Sequence, residues 1–289
     1  MMKRKKNKFA KWANEHPVLV SFIVVVLYFL FRRSTHFLFC SLLVQTSTTE
    51  AIHEIVDIIW PFLMVAAYEK LFIYKKGGFF HTLFLGTGLI IYGMIPFSVN
   101  MIDLLHDADI VWQSLPIILW NIAKTLFVGF REESCFRGIV VNLLGERYLK
   151  DRKGIMYTVL LSAFIFGIMH FQNMFIGMSF AGSLIQSMNA FFVGLIFAAV
   201  YLRGGSIWAC ILIHGFIDFG VSARELLTKT FESDLLAAVV NAENNVSIDI
   251  TTMIEYLVLW LIYVLIALFL LRKKKCNELL QKRSLYQNE

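Results

Sequence analysis

Six ionisable side chains fall inside apolar runs where a membrane helix ordinarily carries none. Glu132, Glu133 and Arg137 share one run, His170 closes another, and His214 and Asp218 share a third. Charged and titratable groups at membrane depth are expensive, and a functional site is the default reading of them. Glu133 and Arg137 stand four apart, so on a helix they point within about 40° of each other and can pair. Glu132 points about 100° away from Glu133 and has no partner at helical spacing. His214 and Asp218, also four apart, share a helix face. A carboxylate and two histidines, with no Ser or Cys in a triad setting, point to an activated water rather than a covalent intermediate. The carboxylate would act as base with one imidazole beside it, while the other imidazole donates to the oxyanion formed when an amide is attacked. That chemistry is peptide hydrolysis. Arg131, next to Glu132, has no evident role from spacing alone.

The elements that must position these groups are transmembrane helices. The 289 residues are 58% hydrophobic and only 17% charged, well below the roughly 25% charged of a soluble domain. Apolar runs long enough to cross about 30 Å of hydrocarbon as helices are expected at 17–33, 55–74, 79–99, 110–144, 154–172, 180–202, 206–222 and 250–271. The fold class expected is an all-α polytopic membrane protein of about eight spans. The net charge of +6 is concentrated at the ends, Lys3 to Lys11 and Arg272 to Arg283. Basic flanks mark the cytoplasmic side, which places both termini there. Arg32 and Arg33 fall on the opposite side, where they are expected to snorkel to headgroups. Residues 34–54 read as interfacial, because HFLFCSLLV is too short to span.

Four regions follow: N-terminal helices over 1–109, a catalytic core over 110–222, an extracytoplasmic loop with an amphipathic helix over 223–249, and a last helix with a basic tail over 250–289. The four cysteines have no metal spacing and read as buried hydrophobes. Counted from the inner loops, Glu132, His170 and His214 lie at depths of roughly 20, 24 and 14 Å. Ordinary tilt lets these converge on one buried polar site.

Glu132-Glu133-xxx-Arg137-Gly138, Phe166-xxx-His170 and His214-xxx-Asp218 resemble the three motifs of the type II CAAX prenyl endopeptidase family, also called CPBP or Abi. The lead-in Tyr201 to Trp208 is similar to the family's as well, and the likeness covers residues 126–222. The resemblance implies that Glu132 and His170 activate water and that His214 and Asp218 steady the oxyanion, with Glu133 and Arg137 supporting Glu132 from behind. Many members carry Asn where this chain has Asp218. An ionised carboxylate cannot donate to an oxyanion, so Asp218 must be protonated, orient His214 or ligate a metal. A glutamate mechanism that needs no cofactor is the leading expectation. Zinc held by His170, His214, Asp218 and Glu132 is the alternative, two His and a carboxylate being an established zinc set.

The expected activity is therefore intramembrane endopeptidase action on a peptide precursor or membrane protein, in the cell membrane. Anionic lipid headgroups, rather than nucleic acid, are the expected partners of the basic ends. A non-enzymatic alternative is an immunity or scaffold protein that binds a bacteriocin or membrane partner, its polar cluster serving helix packing. A transporter is a third reading, disfavoured because no inverted repeat is visible.

Overall fold

The computed structural model describes residues 8–42, 78–107, 110–228 and 250–287, together with residues 52, 55, 56 and 59. Most of the expected span at 55–74 and most of the 223–249 loop, with its expected amphipathic helix, lie outside the described residues. Among the described residues every regular element is helical, and the one β-type contact is an isolated bridge between Trp112 and Thr228. Five helices among the described residues are long and apolar enough to cross a membrane: Pro17–Thr35, Thr87–His106, Arg152–Phe175, Phe180–Gly204 and Ile250–Leu270. Their outward faces leave Leu27, Leu30, Ile91, Ile95, Leu257, Leu261 and Leu265 uncovered. That exposure suits lipid and would be a liability in water. The chain is an all-α membrane protein.

A short α1, Lys8–Glu15, leads into α2, Pro17–Leu42. Proline suits the first turn of α2, where its missing N–H has no helical acceptor to lose. This helix runs on through residues 34–42, the stretch expected to be interfacial. The stretch contains no Gly or Pro to stop it, and its polar side chains fold back onto the helix: Ser34 donates to Leu30 O and Thr35 to Arg32 O. The expected span at 79–99 is two helices, α3 (Phe79–Leu85) and α4 (Thr87–His106), broken at Gly86.

The expected fourth span is one unbroken helical run in three parts: α5 (Leu115–Glu133), a π-helical segment (Ser134–Val141) and α6 (Asn142–Tyr148). A π segment is rare and occurs mostly at functional positions. The wide turn is closed by Asn142, whose amide donates to Gly138 O at 2.8 Å and to the Tyr201 hydroxyl at 3.0 Å. Next come α7 (Arg152–His170), capped by Asp151 accepting from Gly154 N, and a 3-10 turn, Phe171–Ile176. Ser179 caps α8 (Phe180–Gly204), and Ser206 caps α9 (Ile207–Val221), each accepting from the backbone N–H three residues on. Gly205, at φ 79°, makes the left-handed turn between them. A short α10 (Ala223–Leu227), α11 (Ile250–Leu270) and α12 (Lys273–Gln287) complete the described chain.

The main apolar core lies between α7, α8 and α11, with Val159, Ala163, Phe197, Trp260 and Tyr263 among its members. A second core joins α2 to the π segment through Val24, Val25, Tyr28, Cys135, Phe136 and Ile139. At one end of the bundle, Arg224 pairs with Asp107 at 2.7 Å, Asn121 donates to Leu226 O and Gln113 to Thr228 O. These contacts pin the start of α5 and the end of α4 to α10 and the residue after it, and α10 directly follows α9, so they help to set the register of the two helices that carry most of the site.

Candidate active site

The site depends first on how closely α5 and α9 approach. A Cβ on Gly129 would lie 2.7 Å from Ile211 O and 3.0 Å from Gly215 N, and one on Gly215 would lie 3.0 Å from Thr125 O. Real side chains do not tolerate such distances, so the two glycines let backbone touch backbone. Small residues serve the same purpose wherever membrane helices pack without a hydrophobic driving force. The next residues along α5, Glu132 and Glu133, are thereby carried to His214, which neighbours Gly215.

His214 is the centre of the constellation. Its Nδ1 lies 2.6 Å from Glu133 Oε1, and since a carboxylate accepts, Nδ1 carries the proton. Its Nε2 faces two further carboxylate oxygens, Glu132 Oε2 and Asp218 Oδ2, each at 3.7 Å. These distances exceed a direct hydrogen bond. Glu133 Oε1 also accepts from Arg137 Nη1 at 3.0 Å. The Arg137 guanidinium lies between two aromatic faces, 4.5 Å from the Phe166 ring centre and 4.7 Å from that of Phe197. Each such face attracts a desolvated cation by about 2 kcal/mol.

Exposure divides these groups. The Glu133 side chain is 0% exposed and that of Arg137 2%, while Glu132 keeps 15% and Asp218 26%. One half of the site is sealed, and the other is open to whatever enters the bundle.

His170 approaches from α7. Gly167 makes this possible, since a Cβ there would come within 2.8 Å of Ser187 O and of Phe191 Cβ on α8. The His170 Nδ1 lies 2.9 Å from Phe166 O. A carbonyl only accepts, so Nδ1 holds the hydrogen and Nε2 of the neutral ring is an acceptor. The Phe166 ring meets both imidazoles edge-on, with centroids 4.8 Å from His170 and 6.2 Å from His214. His170 interacts electrostatically with Glu132 and with His214.

All six residues singled out from sequence thus gather in one place, with differences of detail. Glu133 and Arg137 do form the expected helical pair, but Glu133 also holds the imidazole of His214 on another helix. The orienting contact on His214 comes from Glu133, and Asp218 faces the other ring nitrogen. Arg131, unexplained from spacing, is 2% exposed and interacts electrostatically with Glu132, Asp218 and Tyr28. Arg32 and Arg33, expected to snorkel, also make contacts within the bundle. Arg33 donates to Phe175 O at 2.9 Å, and Arg32 interacts with Glu132 and Tyr28. Missed from sequence were Tyr28 and Arg32 of α2, whose four-residue spacing on one face of the first span was the available signal.

Among the described residues no three His, Cys, Asp or Glu side chains are arranged to hold a metal ion. His170, His214, Asp218 and Glu132, the zinc set of the alternative above, form no such group. Cys135, Cys210 and Cys276 are free and buried.

Neither the curated proteins nor the solved structures contain a match to this chain. The stretch that carries all six side chains, residues 113–220, matches the model of the family described as Type II CAAX prenyl endopeptidase Rce1-like.

Proposed function

We propose that this protein is an intramembrane endopeptidase of the CAAX-protease type, hydrolysing a peptide bond with water activated by Glu132 and His170. The observation that carries the reading is the state of His214: tied through Nδ1 to a sealed carboxylate, it presents Nε2 to the same space as Glu132 and Asp218. Holding one nitrogen of a histidine so that the other can act is the logic of catalytic triads, applied here beside a glutamate-activated water in place of the serine nucleophile.

The sequence of steps uses only groups of this chain. Glu132 takes a proton from water, with His170 Nε2 as a second acceptor, and the oxygen attacks the scissile carbonyl carbon. The oxyanion that forms receives a hydrogen bond from Nε2–H of His214 in its doubly protonated form. As the tetrahedral intermediate collapses, the C–N bond breaks and Glu132 returns its proton to the departing amine. Phe166 and Phe197 keep water from the Glu133–Arg137 pair, so that Glu133 serves His214 rather than the solvent.

We further infer eight crossings of the cell membrane with both ends cytoplasmic, and a peptide precursor or membrane protein as substrate. The basic α12, beginning Lys273-Lys274-Lys275, would rest on anionic headgroups. The experiment is a comparison of membrane proteomes between cells carrying the wild type and Glu132→Ala. Precursors that accumulate uncleaved in the variant are expected. Identical proteomes, or full cleavage by Glu132→Gln, would sink the proposal, and loss of cleavage on chelation with recovery on zinc would replace the glutamate mechanism by a metal one.

A further inference from the structure

Helix α2 lies outside the matched residues 113–220, yet it packs on the π segment and shares a core with Cys135 and Phe136, three and four residues past Glu132. Ser21, Tyr28 and Thr35, spaced by seven, are all buried, at 0%, 1% and 8% exposure. One face of α2 is therefore turned to the site. Ser21 and Thr35 satisfy their hydroxyls on their own helix, at Pro17 O and Arg32 O. The Tyr28 hydroxyl cannot reach its own backbone, and it has no hydrogen-bond partner among the described residues. It interacts electrostatically with Arg131, Arg32, Glu132 and Cys135.

If Tyr28 served only to fill space, phenylalanine would do so without burying a polar oxygen, and an orphaned buried hydroxyl is unfavourable. Glu132, meanwhile, needs support. A general base must aim one carboxylate oxygen at the water while the other is held, and Glu132 Oε2 already faces His214. Glu133 has Arg137 and His214 to fix it. On α2, the buried hydroxyl left without a partner in the core beside Glu132's segment is that of Tyr28.

We propose that Tyr28 is a positioning residue for Glu132, its phenol O–H donating to the carboxylate through one bridging water. The role rests on the protease reading above. On it, the first span is a working part of the site and not only an anchor.

The test has two arms. With an internally quenched farnesylated peptide ending in a CAAX sequence as probe, Tyr28→Phe is expected to lower kcat roughly tenfold with KM unchanged. The second arm needs no cleavage. The phenol C–O infrared band, identified as the signal lost in Tyr28→Phe, is expected to shift when Glu132 is replaced by Leu in the full-length protein in lipid nanodiscs. A band that stays in place overturns the proposal whatever the kinetics, as does an unchanged kcat in Tyr28→Phe. A wild type that leaves this probe uncleaved rules out a prenylated CAAX peptide as substrate, the protease reading being decided by the proteome comparison, while the band still decides whether Tyr28 holds Glu132.

Discussion

Glu132 and Glu133 are neighbours with the same side chain, and the fold gives them opposite circumstances. Glu133 is fully sealed, and one of its oxygens accepts from both Arg137 and His214. Glu132 keeps 15% exposure and approaches His214 no closer than 3.7 Å. One residue of helical rotation, about 100°, separates a carboxylate that builds the site from one that is free to react in it. The difference teaches that a sealed carboxylate held at short range by a guanidinium and an imidazole is a structural element, whereas a partly exposed one that its histidine approaches only to 3.7 Å is available for chemistry.

The largest effect should come from breaking the open half. Glu132→Gln keeps shape and removes the base, so cleavage is expected to fall by about 10³-fold or more. Its thermal midpoint in detergent should stay near that of the wild type, because no ion pair on the sealed side is touched. Glu133→Gln should fail differently. Leaving Arg137 buried without its anion costs about 3–5 kcal/mol, visible as a clear drop in the midpoint. A mis-held His214 should lower kcat by roughly 10²-fold. Equal stability of the two variants would erase the distinction between the halves.

Much of this was legible in the sequence, for a definable reason. Pairs on one helix, Glu133 with Arg137 and His214 with Asp218, follow from a spacing of four, and most spans follow from hydropathy. What spacing along one helix cannot reveal is the register between helices. That Glu133 and not Asp218 holds Nδ1 of His214 depends on Gly129 meeting Gly215, and on the Arg224–Asp107 and Asn121–Leu226 contacts that lock the bundle end. The continuation of α2 to Leu42 was hidden for another reason: its polar residues, Ser34 and Thr35, look like a helix end until their hydroxyls are seen folded onto helix carbonyls. The place of Tyr28 was likewise invisible, because a tyrosine in an apolar run is ordinarily just a large side chain.

A smaller effect sharpens the sealed half by charge and shape separately. Arg137→Lys keeps the positive charge opposite Glu133 but gives up the flat guanidinium between Phe166 and Phe197. Lysine and arginine are not interchangeable at a stacked site. A loss of about 2 kcal/mol of stability is expected, with kcat reduced less than in Glu133→Gln, because the carboxylate that orients His214 remains. The check is a chemical-denaturation midpoint beside the kcat of each variant. A lysine variant as inactive as Glu133→Gln would mean that the arginine acts on the reaction directly.

Asp218 should give the smallest change, and the most informative. It is the most exposed of the site's carboxylates at 26%, and its Oδ2 faces His214 Nε2 at 3.7 Å, level with Glu132 Oε2. An ionised carboxylate there attracts the same Nε2–H that an oxyanion would need, while an amide could donate beside it. Asp218→Asn, which installs the residue more usual in the resembling family, is therefore expected to retain or raise kcat, by no more than about tenfold, since a single well-placed oxyanion donor is worth roughly 10²–10³-fold at most. Asp218→Leu, which can neither accept nor donate, should lie well below both. If Asp218→Asn instead falls as far as Glu132→Gln, the negative charge at Asp218 is needed for turnover. Two bases, rather than one base and a neighbour, would then share the open half of the site.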